Sequence, residues 1–314
     1  MLLKEVYDTE LRARGYYNFH LTASCYAFPW EYDGKNAYII LEYDSNFVVV
    51  KAYSKQNDIM LKVYSDTTSS VIIDKAIKDA VFILGIKEDL NDFYAICKND
   101  PLLYSLANDL LGIHMRAVQN LWQGLLISIC QQNASFKQGW RMLWNIRKRL
   151  GEELRIPGCD RRFYAYPSPR RVIEKFERMR DCRVGYRAET ILRAAKVFLK
   201  GEILELEDIK GIGQYSARLA RILGLRKYDE FPVDRWFSTL IPRVYAGEEI
   251  WSIKETESFA KKKWGKWAGL AAVMITVVTG AKPLRNILSD IQHGNIRPLP
   301  DEPAPLTLWR YNLD

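Results

Sequence analysis

Hydrophobic positions change their period twice along the chain. From Ala37 to Ser54 the run AYIILEYDSNFVVVKAYS is β-branched and aromatic, broken by the turn signal Asp44-Ser45-Asn46, and IMLKVYS (Ile59 to Ser65) repeats the pattern. Tyr16 to Ala27 predicts a further strand pair, closed by Phe28-Pro29-Trp30. From about Val71 the spacing turns helical. SSVIIDKAIKDAVFILGI, LNDFYAICKN, PLLYSLANDLLG and NLWQGLLISICQQN each repeat apolar residues three and four apart. Helical patterning runs to about Asn286, interrupted by a Gly-, Pro- and Arg-rich loop near Ile156 to Pro169, and a Pro-rich segment after Pro298 predicts an extended or packed arm. The pattern predicts an α+β chain: an N-terminal antiparallel β domain (1–80), a mainly helical core (81–290) and a Pro-rich C-terminal tail (291–314).

Composition narrows the class. Of 314 residues, 48% are hydrophobic and 27% charged, as in ordinary globular chains. The opening MLLKEVYDTELRAR is charged every few residues, unlike a secretory signal. The longest uncharged apolar stretch, Trp267 to Ala281, is 15 residues, against ~20 for a membrane-spanning helix. No membrane partner is expected. Five cysteines, odd in number and without a CxxC pair, exclude a zinc ribbon or a four-cysteine cluster and fit a reducing compartment. Three dispersed histidines offer no histidine-rich metal site. The net charge of +8 is concentrated: Arg170 to Lys200 holds ten Lys/Arg against four Asp/Glu, and Lys261-Lys262-Lys263 adds another group. Such runs are either solvated helix faces or a stripe that meets a polyanion.

The strongest local signal is Leu206-Glu-Asp-Ile209-Lys210-Gly211-Ile212-Gly213-Gln214-Tyr215. An apolar helix end runs into Gly-Ile-Gly and restarts as an amphipathic helix. Glycines at 211 and 213 permit a tight turn and close approach of a partner. Free amides at the new helix start suit a phosphate, and Lys210 stands beside them. The third glycine of a dinucleotide fingerprint is absent. Asp234, in Phe231-Pro232-Val233-Asp234-Arg235-Trp236, follows Gly213 by 21 residues. On local grounds it could simply cap the helix that begins there.

Hairpin and Pro-x-Asp at this spacing resemble the helix-hairpin-helix DNA glycosylases, in the 3-methyladenine and 8-oxoguanine branches that lack an iron–sulfur cluster. Three further segments agree in order: Leu126-Ile-Ser-Ile-Cys-Gln-Gln-Asn133, Val184-Gly185-Tyr186-Arg187-Ala188 and Trp264-Gly265-Lys266-Trp267-Ala268-Gly269. The resemblance spans roughly residues 100 to 285. It implies a helix-hairpin-helix glycosylase core, a monomer that binds duplex DNA, flips a damaged base and cleaves its glycosidic bond, with Asp234 catalytic. It implies a base pocket at Tyr215, Leu219, Trp236, Ala272 and Thr276, and DNA contacts at Asn133, Arg187, Lys210, Gly211, Gly213 and Gln214. Trp30 is a further candidate stacking surface. No organic cofactor is implied, only an alkali-metal ion at the hairpin, and the location implied is cytoplasmic or nucleoid-associated, nuclear in a eukaryote. One departure is informative. The bifunctional glycosylase/lyases carry a lysine nucleophile where this chain has Tyr215, and a phenol forms no Schiff base. Monofunctional hydrolysis of the alkylated-base type is therefore expected; the alternatives are an 8-oxoguanine-type enzyme with lyase activity and a non-catalytic binder of distorted DNA.

Overall fold

The computed structural model describes residues 1–56, 58–201, 205–292 and 301–314. Strands β1 (Lys4–Arg12), β2 (Asn36–Tyr43), β3 (Asn46–Lys55) and β4 (Asp58–Ser65) form an antiparallel sheet in the order β1-β4-β3-β2. The run Tyr38–Leu41 is apolar at every position because both faces of the sheet are covered. Ile39, Leu41, Val48 and Val50 pack in one cluster with Phe19, Ile73 and Ala76, while Tyr38, Ile40, Phe47 and Val49 join the core of the helical part. Helix α2 (Ser70–Ile83) packs on β2, β3 and β4, so the helix that crosses residue 80 belongs with the sheet.

The N-terminal region departs from the sequence pattern in two places. Tyr16 to Ala27 is not a strand pair; it contains helix α1 (Phe19–Ser24), capped by Asn18, whose side chain accepts from the Leu21 N–H at 3.1 Å. Phe19, Thr22 and Ala23 then fall on its buried side, at helical spacing. Strand β1 lacks an apolar alternation because it is a largely exposed edge, paired only with β4.

The helical part contains α3 (Asn91–Cys97), α4 (Tyr104–Ala107), α5 (Leu121–Gln131), α6 (Phe136–Leu150), a short β5/β6 pair (Glu153–Leu154, Phe163–Tyr164), α7 (Pro169–Glu174), α8 (Arg187–Lys200), α9 (Gln214–Leu225), α10 (Arg235–Tyr245), α11 (Ile253–Trp264), α12 (Ala268–Val278) and α13 (Leu284–Gln292). Trp122 through Cys130 of α5 are buried on all sides. Its partner is α9, and the two backbones touch: a Cβ at Gly124 would lie 2.5 Å from the Ala220 carbonyl, and one at Gly224 2.7 Å from that of Asn120. Small residues at both crossings thus fix α9, the helix after the hairpin, against the centre of the core.

Two buried arginines join sheet and helices. Arg147 of α6 meets Glu31 at 2.6 Å and donates to the Tyr164 carbonyl, while Arg116 donates to the carbonyls of Ala23, Glu31 and Tyr38. Arg226, in a left-handed conformation just past α9, donates to the carbonyls of Phe82, Ile83 and Met115 and pairs with Glu88 at 2.8 Å. Residues 301–314 pack back on the body: Asp314 accepts from Trp144 Nε1 and Lys148, and Leu313 accepts from Arg141. Residues 293–300 of the expected tail lie outside the described residues. No described helix is long and apolar enough to cross a membrane.

Candidate active site

The hairpin is built differently on its two sides. Helix α8 stops at Gly201, whose φ of 72° is a left-handed C-cap, so a short 3-10 turn (Leu206–Asp208), rather than the end of an α-helix, leads into Ile209–Gly213. Gly211 has φ +101°, and a Cβ there would lie 2.6 Å from Thr190 Oγ1 of α8. Glycine is required at 211 on both counts. Gly213 has φ −98° and open space around the position a Cβ would take. It is exposed, as are Lys210 and Gln214. The first amides of α9 lack intrahelical acceptors and emerge at this exposed corner.

Three segments that the sequence left apart are tied together behind this corner. Gln132 Nε2 donates to the Gly211 carbonyl at 3.0 Å and lies 2.8 Å from Ser216 Oγ. The Gln132 carbonyl accepts from the Arg187 guanidinium. Asn133, exposed and left-handed at φ 44°, is 3.5 Å from the Tyr186 hydroxyl. Arg187 is therefore not a free surface arginine: it is buried, and its guanidinium also lies 4.6 Å from the centre of the Tyr186 ring. Sequence reasoning missed Gln132 as the clamp and Tyr186 as the projecting aromatic, 61% exposed. The available signal was a polar Gln-Gln-Asn ending an otherwise buried helix.

Behind the hairpin opens a cavity of about 620 Å³. Tyr215, Leu219, Trp236, Ala272 and Thr276 all line it, together with Asp234. Periodicity explains the convergence: 215 and 219 are one turn apart on α9, and 272 and 276 one turn apart on α12. Phe136 and Trp140 of α6 and Tyr26 from the N-terminal region add aromatic wall. Trp30 does not belong here. It is buried against Trp144 at 4.3 Å and Phe28 at 4.8 Å, in the core rather than in the cavity.

Asp234 caps a helix and lines the cavity at once. It is the N-cap of α10, with Oδ1 accepting from the Phe237 N–H at 2.9 Å, and it also lines the cavity. Burial raises its pKa above the usual aspartate value, and main-chain N–H groups of Phe237 and Trp236 offset this in part. Burial also raises the Tyr215 phenol, with the Asp234 charge adding to it, so Tyr215 is a neutral hydroxyl at neutral pH. The basic runs are partly consumed by structure: Lys261 pairs with Glu257 at 3.0 Å, and Lys263 lies 3.5 Å from buried Asp100. Among the described residues no three His, Cys, Asp or Glu side chains converge as a metal site. The main-chain carbonyls of Ile209, Lys210 and Gly211, candidate ligands for an alkali-metal ion at the hairpin, each already accept a hydrogen bond.

No protein-family model matches the chain. Over 220 residues, 60% of this chain and 69% of its counterpart, it is 23% identical to a probable N-glycosylase/DNA lyase of Methanothermobacter thermautotrophicus. The 3-methyladenine DNA glycosylase from Archaeoglobus fulgidus superposes with a TM-score of 0.71 at 22% identity, covering 86% of this chain and 96% of that one. The 8-oxoguanine glycosylase/lyase of Clostridium acetobutylicum, bound to double-stranded DNA with cytosine opposite 8-oxoguanine, gives 0.58 at 21% identity, covering 76% and 86%. The chain thus has the fold of the helix-hairpin-helix DNA glycosylases, the family its motifs resemble.

Proposed function

We propose that this chain is a DNA repair glycosylase that binds duplex DNA, turns a damaged base into the cavity and hydrolyses its N-glycosidic bond. The observation that carries the reading is the course of α9. Its exposed first turn supplies phosphate-facing amides beside Gly213 and Gln214, and its next residues, Tyr215 and Leu219, are cavity wall. One rigid helix thereby sets the distance between a gripped backbone and an extruded base. Asn133 and Tyr186 project where the vacated stack must be filled. Lys210 meets the backbone, and buried Arg187 positions the Asn133 turn through the Gln132 carbonyl. A main-chain-bound alkali-metal ion would only stiffen the hairpin.

Asp234 is the catalytic group. Cleavage develops an oxocarbenium-like cation at the sugar, and a fixed carboxylate in a dry wall stabilises that charge and orients the attacking water. The aromatic lining of Tyr26, Phe136, Trp140, Tyr215 and Trp236 favours an electron-poor, alkylated base by stacking and cation–π attraction. With Tyr215 in place of an amine, the product is an intact abasic strand. Incubation with duplexes carrying single alkylated, oxidised or deaminated bases tests this: base release is expected from an alkylated duplex, with strand breakage only after alkali. A second reading, glycosylase with lyase activity, is favoured by two lysines of the cavity lining, Lys137 and Lys282. Borohydride trapping of a protein–DNA complex as fast as base release would establish it.

A further inference from the structure

The aromatic cavity has one hydroxyl pair whose direction is set. Tyr26 reaches the wall from the N-terminal region with a left-handed φ of 53°, a conformation costly for a bulky residue. It is held there from both ends. Its N–H donates to the Pro305 carbonyl at 2.7 Å, and its ring stacks on Trp140 at 5.4 Å and 21°. Its hydroxyl lies 2.8 Å from Thr276 Oγ1. Thr276 has a single hydroxyl hydrogen, and a main-chain carbonyl, that of Val273, sits 2.6 Å from its Oγ1. That hydrogen is committed to Val273, so the Tyr26 hydroxyl donates to Thr276, with the Val273 carbonyl at 3.5 Å as a second, longer acceptor. The relay runs Tyr26 to Thr276 to Val273. It leaves Tyr26 with lone pairs but no hydrogen to offer, and burial keeps the phenol protonated.

We propose that Tyr26 is a specificity-determining residue: an acceptor-only hydroxyl, oriented by Thr276 and held by the Pro305 carbonyl, that selects a flipped purine with an exocyclic amino group at C6 over one with a carbonyl there. This rests on the glycosylase reading and deepens it. An amino group donates to the Tyr26 oxygen. A C6 carbonyl sets two acceptors face to face, and neither is satisfied. The segment 302–305 contributes directly, since Glu302 and Pro303 also line the cavity.

Methylated duplex DNA tests the proposal in one reaction, because it releases both 3-methyladenine, with an amino group at C6, and 7-methylguanine, with a carbonyl. Their rates of release are measured chromatographically for the wild type, Tyr26→Phe and Thr276→Val. Tyr26→Phe keeps the stacked ring and loses the acceptor; Thr276→Val removes the hydroxyl that fixes the Tyr26 proton and leaves only the Val273 carbonyl at 3.5 Å to hold it. Tyr26→Phe should shift the amino-to-carbonyl rate ratio toward the carbonyl base, by roughly 5- to 10-fold for one hydrogen bond, and Thr276→Val should shift it the same way by less. A mere packing defect would slow both bases together and leave the ratio unmoved. Active variants with the wild-type ratio overturn this inference alone. Release of neither base by the wild type overturns the alkylated-base reading and this inference with it.

Discussion

Two of the carboxylates that line the cavity, Glu31 and Asp234, live by opposite rules. Glu31 is buried beside Arg147 and Arg116, receives the Phe28 N–H at 3.0 Å, and touches both parts of the molecule. Burial alone would raise its pKa, but the two guanidiniums outweigh burial and hold it below the usual glutamate range. Asp234 has no cation within salt-bridge distance among the described residues; only main-chain N–H groups meet it, and its pKa goes up. The matched charge joins the sheet region to the helical part; on the glycosylase reading, the unmatched one meets a cation that develops during the reaction. The pH signs follow. The depressed Glu31 stabilises the fold above its ordinary value of 4.5 and ceases to as pH falls through its folded value. For Asp234 the linkage reverses: its contribution is fully present below the ordinary 3.8 and is lost as pH rises through the raised folded value, so at neutral pH its charge is a cost.

The largest effect should come from breaking the matched pair. Glu31→Ala leaves Arg147 and Arg116 buried without their anion and should cost about 3–5 kcal/mol in denaturant unfolding; a loss under about 1 kcal/mol would dissolve the contrast drawn with Asp234. Next comes Asp234→Asn. It should cut base release ~10²-fold or more while DNA binding persists and the α10 cap is retained. Because burial outweighs the main-chain N–H groups that meet this charge, its removal should raise thermal stability. A variant that is both inactive and less stable would show that the charge is structural after all. In the wild type, single-turnover release should fall with acid along a limb centred above 3.8, the ordinary aspartate value, and Asp234→Asn should flatten that limb.

Smaller effects separate the two hairpin glycines. Gly211→Ala meets Thr190 and a positive φ, and should destabilise the protein by about 1–3 kcal/mol. Gly213→Ala fills open space; its melting temperature should stay put while affinity for damaged and undamaged duplexes drops alike, since phosphate contacts carry no sequence. Loss of binding confined to lesion-bearing DNA would contradict that role. The smallest expected signal is from Tyr215→Lys, where slow borohydride trapping absent from the wild type should appear, because the side chain projects from the first turn of α9 into the cavity beside Asp234.

Local chemistry was enough for the hairpin turn and for Asp234 as a helix cap; the positions on α9, α10 and α12 that line the cavity came from the family resemblance. A Gly-Ile-Gly turn, an Asp before a helix and residues one turn apart are short-range facts that the sequence writes directly. The same locality misread Tyr16 to Ala27, where an aromatic, β-branched composition lost to the Asn18 cap and a buried helical face. Sequence reasoning also offered Trp30 as a stacking surface and Arg187 as a DNA contact although both are buried, because exposure is a property of what packs against a residue and not of the residue itself. Only the folded chain brings Tyr26 to Thr276, 250 positions away, or sets Glu31 on Arg147 across 116. Contacts at such separations leave no periodic trace in either segment, so the sequence by itself determined the strands β2 to β4, most of the helices and the place of the hairpin. The tertiary structure decided which carboxylate is neutralised, which arginine is buried and which hydroxyls meet in the cavity wall.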